Sequence, residues 1–323
     1  MKILFYSQVG KSLPLALRCA SEGNSVRFYV ADHRHRSQLN GLITRTDTPD
    51  AAANELVVFD SLGQGRRADE LRRRGHAVVG GCEFADNMVL TPGYADSILK
   101  LAGVEEIPTE YDIEGWFNGD DWVLGLTTIS VSERRFLTGD LGQEVDCVGT
   151  TLCYWKKYRP SSFKGTLYKL TRFLRKVNYC GPISTQGGKI TAGLCFDHAV
   201  VACNLVNTDY SRILNDCARG AIRRIVPSFD YGVGIRVSLP PWPNIKGVVN
   251  GVAIEGQVEG WFPYNAWIGV AVGTGSSINQ AQEAALATAQ RLGPRDVQYR
   301  VDIGVKAKQI IPGVLSKEVR FGK

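Results

Sequence analysis

The 323-residue sequence contains no run of about 18 apolar residues, the length a membrane-spanning helix requires. Its most apolar stretch, residues 258–275, is interrupted by Gly, Pro and Asn, so no membrane contact is expected. None of its eight cysteines forms a CxxC pair, which removes the common zinc and redox motifs. Cys19, Cys82, Cys147, Cys153, Cys180, Cys195, Cys203 and Cys217 are scattered and read as reduced, mostly buried thiols of a cytoplasmic protein. Internal repeats, low-complexity tracts and long linkers are also missing. The opening MKILFYSQVG has one Lys before a short apolar run, and reads as a strand rather than a secretory leader. Neither charge dominates: the net charge is +6, which suits anionic ligands in general and does not by itself indicate nucleic acid. What remains is a composition of 44% hydrophobic and 22% charged residues, ordinary for a globular chain long enough for two or three packed units.

The first hundred residues alternate strand and helix. KILFYS, SVRFYVAD, NELVVFDSLG and HAVVGG read as strands, and LPLALRCASEG, ADELRRRG and GYADSILKLAG as helices ended by Gly23, Gly75 and Gly103. This pattern predicts a Rossmann-like parallel sheet over residues 1–108. The character changes at Pro108, where EGWFNGDDWVLGLTTISVSERRF reads as antiparallel strands turning at Asn118-Gly119. FKGTLYKLTRFLRKV reads as one helix, with Phe163, Leu167, Leu170, Leu174 and Val177 on a single face. Its Lys164, Lys169, Arg172, Arg175 and Lys176 read as a solvated basic face, since a nucleic-acid surface would usually add exposed aromatics or a longer basic tract. GPISTQGGKITAGLCFDHAVV reads as two strands about Gly187-Gly188, and YSRILNDCARG as a short helix. Four further strands are expected in YGVGIRVSLPPWP, NGVAIEGQVEGWF, AWIGVAVGTG and VQYRVDIG. The helix SSINQAQEAALATAQRL, capped by Ser276 or Ser277, interrupts them.

Several turns carry candidate chemistry. Gly10 and Lys11 open a helix directly after a buried strand, where helix N-termini attract anions. Gly63, Gly65 and Arg66 form a similar turn, and a purely structural turn is the alternative for both. His33 and His35 lie in a loop at the end of the second strand, where solvent exposure competes with a ligand contact. FLTGDLGQEVDCVGTT has the look of a phosphate loop, with Gly139, Gly142 and Gly149 placed to present backbone N–H groups. Its Asp140, Glu144 and Asp146 would repel a phosphate unless a metal bridged them. Asp140, Glu144, Asp197 and His198 are candidate metal ligands, against the alternative of solvated acids and a hydrogen-bonded histidine. Cys195 and His198, read as strand residues, point to opposite faces and cannot act as a Cys–His pair.

Taken in order, these pieces resemble the phosphoribosylamine–glycine ligases (glycinamide ribonucleotide synthetases) of the ATP-grasp superfamily. The resemblance is carried by SQVGKSLPLALR, EGWFNGDDWV, SERRFLTGDLG with CVG, GSSINQAQEAALATAQRL, and QYRVDIG with Arg300, Asp302, Ile303 and Gly304. It implies an enzyme of purine biosynthesis that activates a carboxylate with ATP and Mg²⁺ and transfers it to an amine. It also implies that the Gly10-Lys11 turn faces a phosphoribosyl substrate, with Arg300 serving the same pocket or acting as a packing ion-pair partner. Three departures follow. The family's small ATP-binding lobe would lie where only Asp112 and Ile113 stand. The loop 139–149 has lost small residues to Gln143, Glu144, Val145 and Asp146. Cys195 occupies the position of a metal-binding glutamate. The expected protein is therefore α/β. Its units are a Rossmann-like N-terminal domain (1–108), a truncated ATP-grasp lobe (109–220) and a small α+β C-terminal domain (221–323). Function is expected to be that of a degenerate ligase relative, a pseudoenzyme repurposed to bind an anionic phosphoribosyl or nucleotide-like molecule, with a homo-oligomer as an open possibility. The alternatives are an active carboxylate–amine ligase with a rebuilt metal site, for which ATP and Mg²⁺ would be cofactors, and a nucleic-acid or protein-binding module resting on the basic helix.

Overall fold

The computed structural model describes residues 1–323 apart from 40, 156–159, 195, 223, 241, 244–260, 265–266, 292–295 and 321–323. The N-terminal part follows from the buried runs. Strand β1 (Lys2–Ser7) sends Ile3 and Phe5 to one core and Leu4 and Tyr6 to another, so nearly every position must be apolar. Helix α1 (Leu13–Ser21) and β2 (Ser25–Val30) follow, then a 3₁₀ segment (His33–Leu39), β3 (Thr44–Arg45), β4 (Leu56–Phe59), α2 (Gly65–Arg73) and β5 (Ala77–Val79). The five strands form a parallel sheet in the order β3-β2-β1-β4-β5, as the alternating pattern predicts. Helix α3 (Glu83–Leu90), absent from the sequence reading, precedes α4 (Tyr94–Ala102).

From β6 (Asp112–Asn118) onward the strands are antiparallel. Strands β7 (Thr128–Leu137) and β8 (Leu141–Tyr154) form a long hairpin. The single helix expected near 163–177 is broken into α5 (Ser161–Gly165), a 3₁₀ turn (Leu167–Leu170) and α6 (Thr171–Lys176). Gly165 and Thr166 are weak helix formers, and Thr166 sits at φ −121°, ψ −96°, outside the helical region. The expected apolar face nevertheless forms, with Phe163, Leu167, Leu170 and Leu174 fully buried. Strands β9 (Cys180–Gln186) and β10 (Lys189–Ala192) turn at Gly187-Gly188. The FDHAVV segment is helix α7 (Phe196–Cys203), not strand. Residues 199–203 are all buried, so no amphipathic period marks the helix in the sequence.

Helix α8 (Tyr210–Ala218), β11 (Tyr231–Ser238), β12 (Trp261–Tyr264), β13 (Trp267–Gly275), α9 (Ile278–Gln290) and α10 (Val305–Arg320) complete the chain. The Ser277 hydroxyl caps α9 by accepting the Gln280 N–H at 3.2 Å. VQYRVDIG is not a strand: only Gln298 pairs, with Ser238, and the rest is held by side-chain ion pairs. Helix α10 was hidden by its internal Pro312. The NGVAIEGQVEG segment lies outside the described residues. The antiparallel strands make one sheet in the order β10-β9-β6-β7-β8-β11-β13-β12. It runs across residue 220 through the β8–β11 pairing, Gly149↔Ile235 to Cys153↔Tyr231. No helix among the described residues is long and apolar enough to cross a membrane.

Candidate functional site: a crevice at the strand-order reversal

In the parallel sheet the chain winds outward from β1 in one direction and from β4 in the other. The segments leaving β1 and β4 therefore diverge, and a crevice opens at the carboxyl ends of these strands. Gln8, Val9 and Lys11 line it after β1, and Asp60, Ser61 and Leu62 after β4. The large sheet roofs it with Arg134 of β7, Asp146 of β8, Arg236 of β11 and the β9–β10 ends, joined by Asp197 from the first turn of α7. The cavity measures about 490 Å³, within the range of small-molecule sites.

Its walls are tied by charge. Lys11 Nζ lies 3.7 Å from Asp146 Oδ2, and the same oxygen lies 3.8 Å from Arg236 Nη1. Arg236 Nη2 donates to Asp197 Oδ2. The chain of charges Lys11, Asp146, Arg236 and Asp197 thus links the first turn of the parallel sheet to the antiparallel sheet and to α7. Burial pushes the Asp197 carboxyl up, and Arg236 only partly offsets this. Burial acts in the same sense on Asp146, but Arg236 and Lys11 together overcome it and hold that carboxyl below its usual range. Two N–H groups of the β1–α1 segment meet internal acceptors at the crevice floor. Ser12 N–H donates to Asp60 Oδ2 at 2.9 Å, and Gln8 N–H to Ser61 Oγ at 3.0 Å.

The expected site residues separate into different surroundings. Gly10 and Lys11 sit at the crevice, with Gly10 at φ +92° where glycine is favoured. Gly63 and Gly65 do form an anion-holding turn, but the anion is internal: their N–H groups donate to the two oxygens of Asp86, at 2.9 and 2.6 Å. A Cβ on Gly65 would meet the Cys82 backbone at 2.2 Å, so close packing against the start of α3 requires the glycine. Arg66 is exposed and pairs with Glu83 at 3.2 Å. Arg300 lies away from the crevice. Its guanidinium donates to Glu133 Oε2 at 2.6 Å, to Asp302 at 2.8–2.9 Å and to the Arg135 carbonyl at 2.8 Å.

The segment read from the sequence as the remnant of a phosphate loop lies in a hairpin. Residues 136–151 are the β7–β8 hairpin, paired down to Leu137↔Leu141. Gly139 and Asp140, at φ +75° and +58°, make the tight turn. Gly142, at φ +77°, leaves room for Leu137, since a Cβ would lie 2.9 Å from its Cγ. Gly149 leaves room for Ile303, whose side chain a Cβ would meet at 2.6 Å. The same spacing of glycines that suits a phosphate loop here serves a turn and two close packings. The four candidate metal ligands do not converge either. Asp140 and Glu144 border a second cavity, Asp197 pairs with Arg236, and His198 is buried with Nε2 2.7 Å from Thr128 Oγ1 and Nδ1 3.2 Å from Glu114. Among the described residues no three His, Cys, Asp or Glu side chains form a metal-sized group. The seven described cysteines are buried, and none of them forms a disulfide among the described residues. Cys195 lies outside the described residues.

Asp60, Ser61, Arg134 and Arg236 were missed as site residues in the sequence. Asp60 and Ser61 were legible as the residues that leave a central parallel strand. Arg236 was legible as the one charge inside the apolar strand YGVGIRVS. The second cavity, about 230 Å³, lies beside the first and shares Arg134 with it. Glu110, Asp112, Asp140, Glu144, Arg135 and Lys306 also line it.

The parallel sheet with a large antiparallel sheet beside it matches an ATP-grasp-like fold. Among solved structures, the chain is similar to a phosphoribosylamine–glycine ligase from Thermotoga maritima, with a TM-score of 0.67 and 14% identity over 94% of this chain and 100% of that one. A biotin carboxylase–β,γ-ATP complex from Campylobacter jejuni matches with a TM-score of 0.59 and 8% identity, covering 98% and 96%. Glycinamide-RNase-transformylase T from Mycobacterium tuberculosis matches with a TM-score of 0.54 and 10% identity, covering 91% and 100%. At these identities the likeness is one of fold. No protein-family model matches the sequence, and neither does any curated protein.

Proposed function

We propose that this chain binds a small phosphoribosyl or nucleotide-like anion in the crevice and does not by itself run the ATP-dependent amide-forming reaction of the ligases whose fold it shares. The observation that carries this reading is the crevice, with Lys11, Arg134 and Arg236 gathered at the reversal of strand order. The second half of the reading rests on what phosphoryl transfer demands. Charge accumulates on the transferring group, and donors, cations and Mg²⁺ with hard oxygen ligands must surround it. The segment 136–151, read from the sequence as the remnant of a phosphate loop, lies in the β7–β8 hairpin. Of the crevice carboxylates, Asp146 and Asp197 are engaged with Lys11 and Arg236, and Asp60 accepts the Ser12 N–H and the Ser61 hydroxyl. The crevice carboxylates therefore do not fit Mg²⁺, which needs open oxygen ligands. Asp112 and Ile113, where the resemblance would place a further lobe, are the first two residues of β6, which supports the same conclusion.

Calorimetric titration of the full chain with ribose 5-phosphate and with ATP, each with and without Mg²⁺, tests this. Saturable heat with ribose 5-phosphate and no Mg²⁺-dependent heat with ATP are the expected results. Release of ADP that depends on glycine and an amine would overturn the reading in favour of an active ligase.

A further inference from the structure

Arg134 differs from the other cations of the site. Lys11 and Arg236 are ion-paired inside the larger cavity, Lys306 approaches Asp140 at 3.8 Å, and Arg135 donates to the Gly142 carbonyl at 2.8 Å. Among the described residues Arg134 makes no ion pair and no side-chain hydrogen bond. It is half-buried and lines both cavities. Its field reaches Asp112 on the smaller side and Asp146 on the larger side.

The ladder explains how it comes to stand there. Pairing jumps from Glu133↔Gly149 to Arg135↔Glu144, so Arg134 alone faces residues 145–148 of β8. Such a bulge releases a residue from regular pairing and re-aims its side chain, and bulges recur beside binding sites. On β8 the same bulge carries Asp146 to the crevice. The smaller cavity leans acidic. Asp112 and Glu144 line it without an ion-pair partner among the described residues, and Asp112 accepts only the Gly187 N–H, at 3.0 Å.

We propose that Arg134 is the specificity-determining residue of the site, anchoring a phosphate head where the two cavities meet, and that the ligand's arm extends into the smaller cavity. The arm carries hydrogen-bond donors, a hydroxyl or an ammonium, directed at Asp112 and Glu144. This rests on the crevice being the binding site. A guanidinium fork fits a phosphate bidentately, whereas an unpaired carboxylate selects donors. The two cavities are thus one bipartite site.

Calorimetry on the full chain with inorganic phosphate, glycerol 3-phosphate and O-phosphoethanolamine tests it. Both armed ligands are expected to bind about tenfold tighter than phosphate, consistent with one or two charge-assisted hydrogen bonds. Whichever binds tighter identifies the donor. Arg134→Gln should weaken all three about tenfold or more, and Arg134→Lys should recover part of the loss. Glu144→Gln should erase the advantage of the arm and leave phosphate binding unchanged. Arg134 is half-buried and Glu144 exposed, and unchanged thermal midpoints confirm folded variants. If Arg134→Gln binds all three as the parent does, or Glu144→Gln keeps the arm's advantage, the bipartite site is wrong while the crevice reading stands. If the parent chain binds none of the three, both fall.

Discussion

Glu114 and His198 are buried side by side, and burial drives their acidities in opposite senses. The Glu114 carboxyl is pushed up to about 8, eased only by the indole N–H of Trp116, and the His198 imidazole is pushed down to about 4. At neutral pH both are uncharged, which explains how two ionisable groups are tolerated in an apolar interior. The consequence for stability has a definite sign. Glu114 contributes fully below its unfolded pKa, near 4.5, and that contribution is lost as pH rises through about 8. His198 contributes fully above its unfolded pKa, near 6.5, and loses its contribution as pH falls through about 4. The two slopes oppose each other at mildly acid pH, so the Glu114 effect is exposed between pH 6.5 and 8. There the protein should lose on the order of 1 kcal/mol per pH unit. Glu114→Gln should flatten that decline, as urea denaturation across the pH series would read. An equal decline in the variant would show that another group is responsible. Nothing in the sequence distinguished this pair from a metal-binding Asp197-His198, because only the fold brings Glu114 opposite α7.

The β7–β8 hairpin is held by a short segment, residues 300–304, from the far end of the chain. Arg300 joins Glu133, Asp302 and the Arg135 carbonyl, Asp302 accepts the Gly139 N–H at 2.8 Å, and Glu133 accepts the Gly304 N–H at 3.0 Å. Both Arg300 and Glu133 are about 96–97% buried. Arg300→Met should therefore cost about 3 kcal/mol or more, since it strands the Glu133 carboxylate in the interior. Glu133→Gln in the same background should restore part of the loss, measurable as a double-mutant cycle in urea. The broken helix near 161–176 has a comparable structural task. Lys169 and Arg172 donate to the Gly103 and Leu101 carbonyls at the end of α4, and Arg175 to the Asp120 carbonyl. Lys169 and Arg172 thus meet a helix C-terminus, where cations are favoured. The apolar spacing of this element was legible, while its interruption at Thr166 and the partners of its lysines and arginines were not.

At the scale of the molecule, the crevice exists only because two sheets meet. One wall belongs to the turn after β1 and the other to β7, β8 and β11, with Lys11–Asp146 the ion pair that crosses between them. That pair is half-exposed on both sides and contributes little to docking, about 0–1 kcal/mol. The walls are held instead by a continuous apolar core that runs from Ile3 and Phe5 through Val148 and Leu152 to Ile235 and Val237. A ligand seated between them should stabilise the whole chain. At a hundredfold excess over its Kd, ribose 5-phosphate should add about 2.7 kcal/mol to the unfolding free energy. A thermal-shift series at increasing ligand should rise accordingly. A flat series at saturating concentration would contradict binding to the folded state.

The sequence by itself determined the parallel sheet, the start of the antiparallel region, a serine cap at 276 or 277 and the turn at Gly10-Lys11. Each of these depends on local periodicity or on a residue's own backbone preference. Tertiary structure alone decided that Gly149 makes room for Ile303, that Asp86 fills the Gly63-Gly65 turn, that FDHAVV is a helix, and that Arg134 stands free of its ladder between two cavities. Those outcomes depend on which distant residue arrives opposite, and a linear pattern of glycines and acids does not encode that partner.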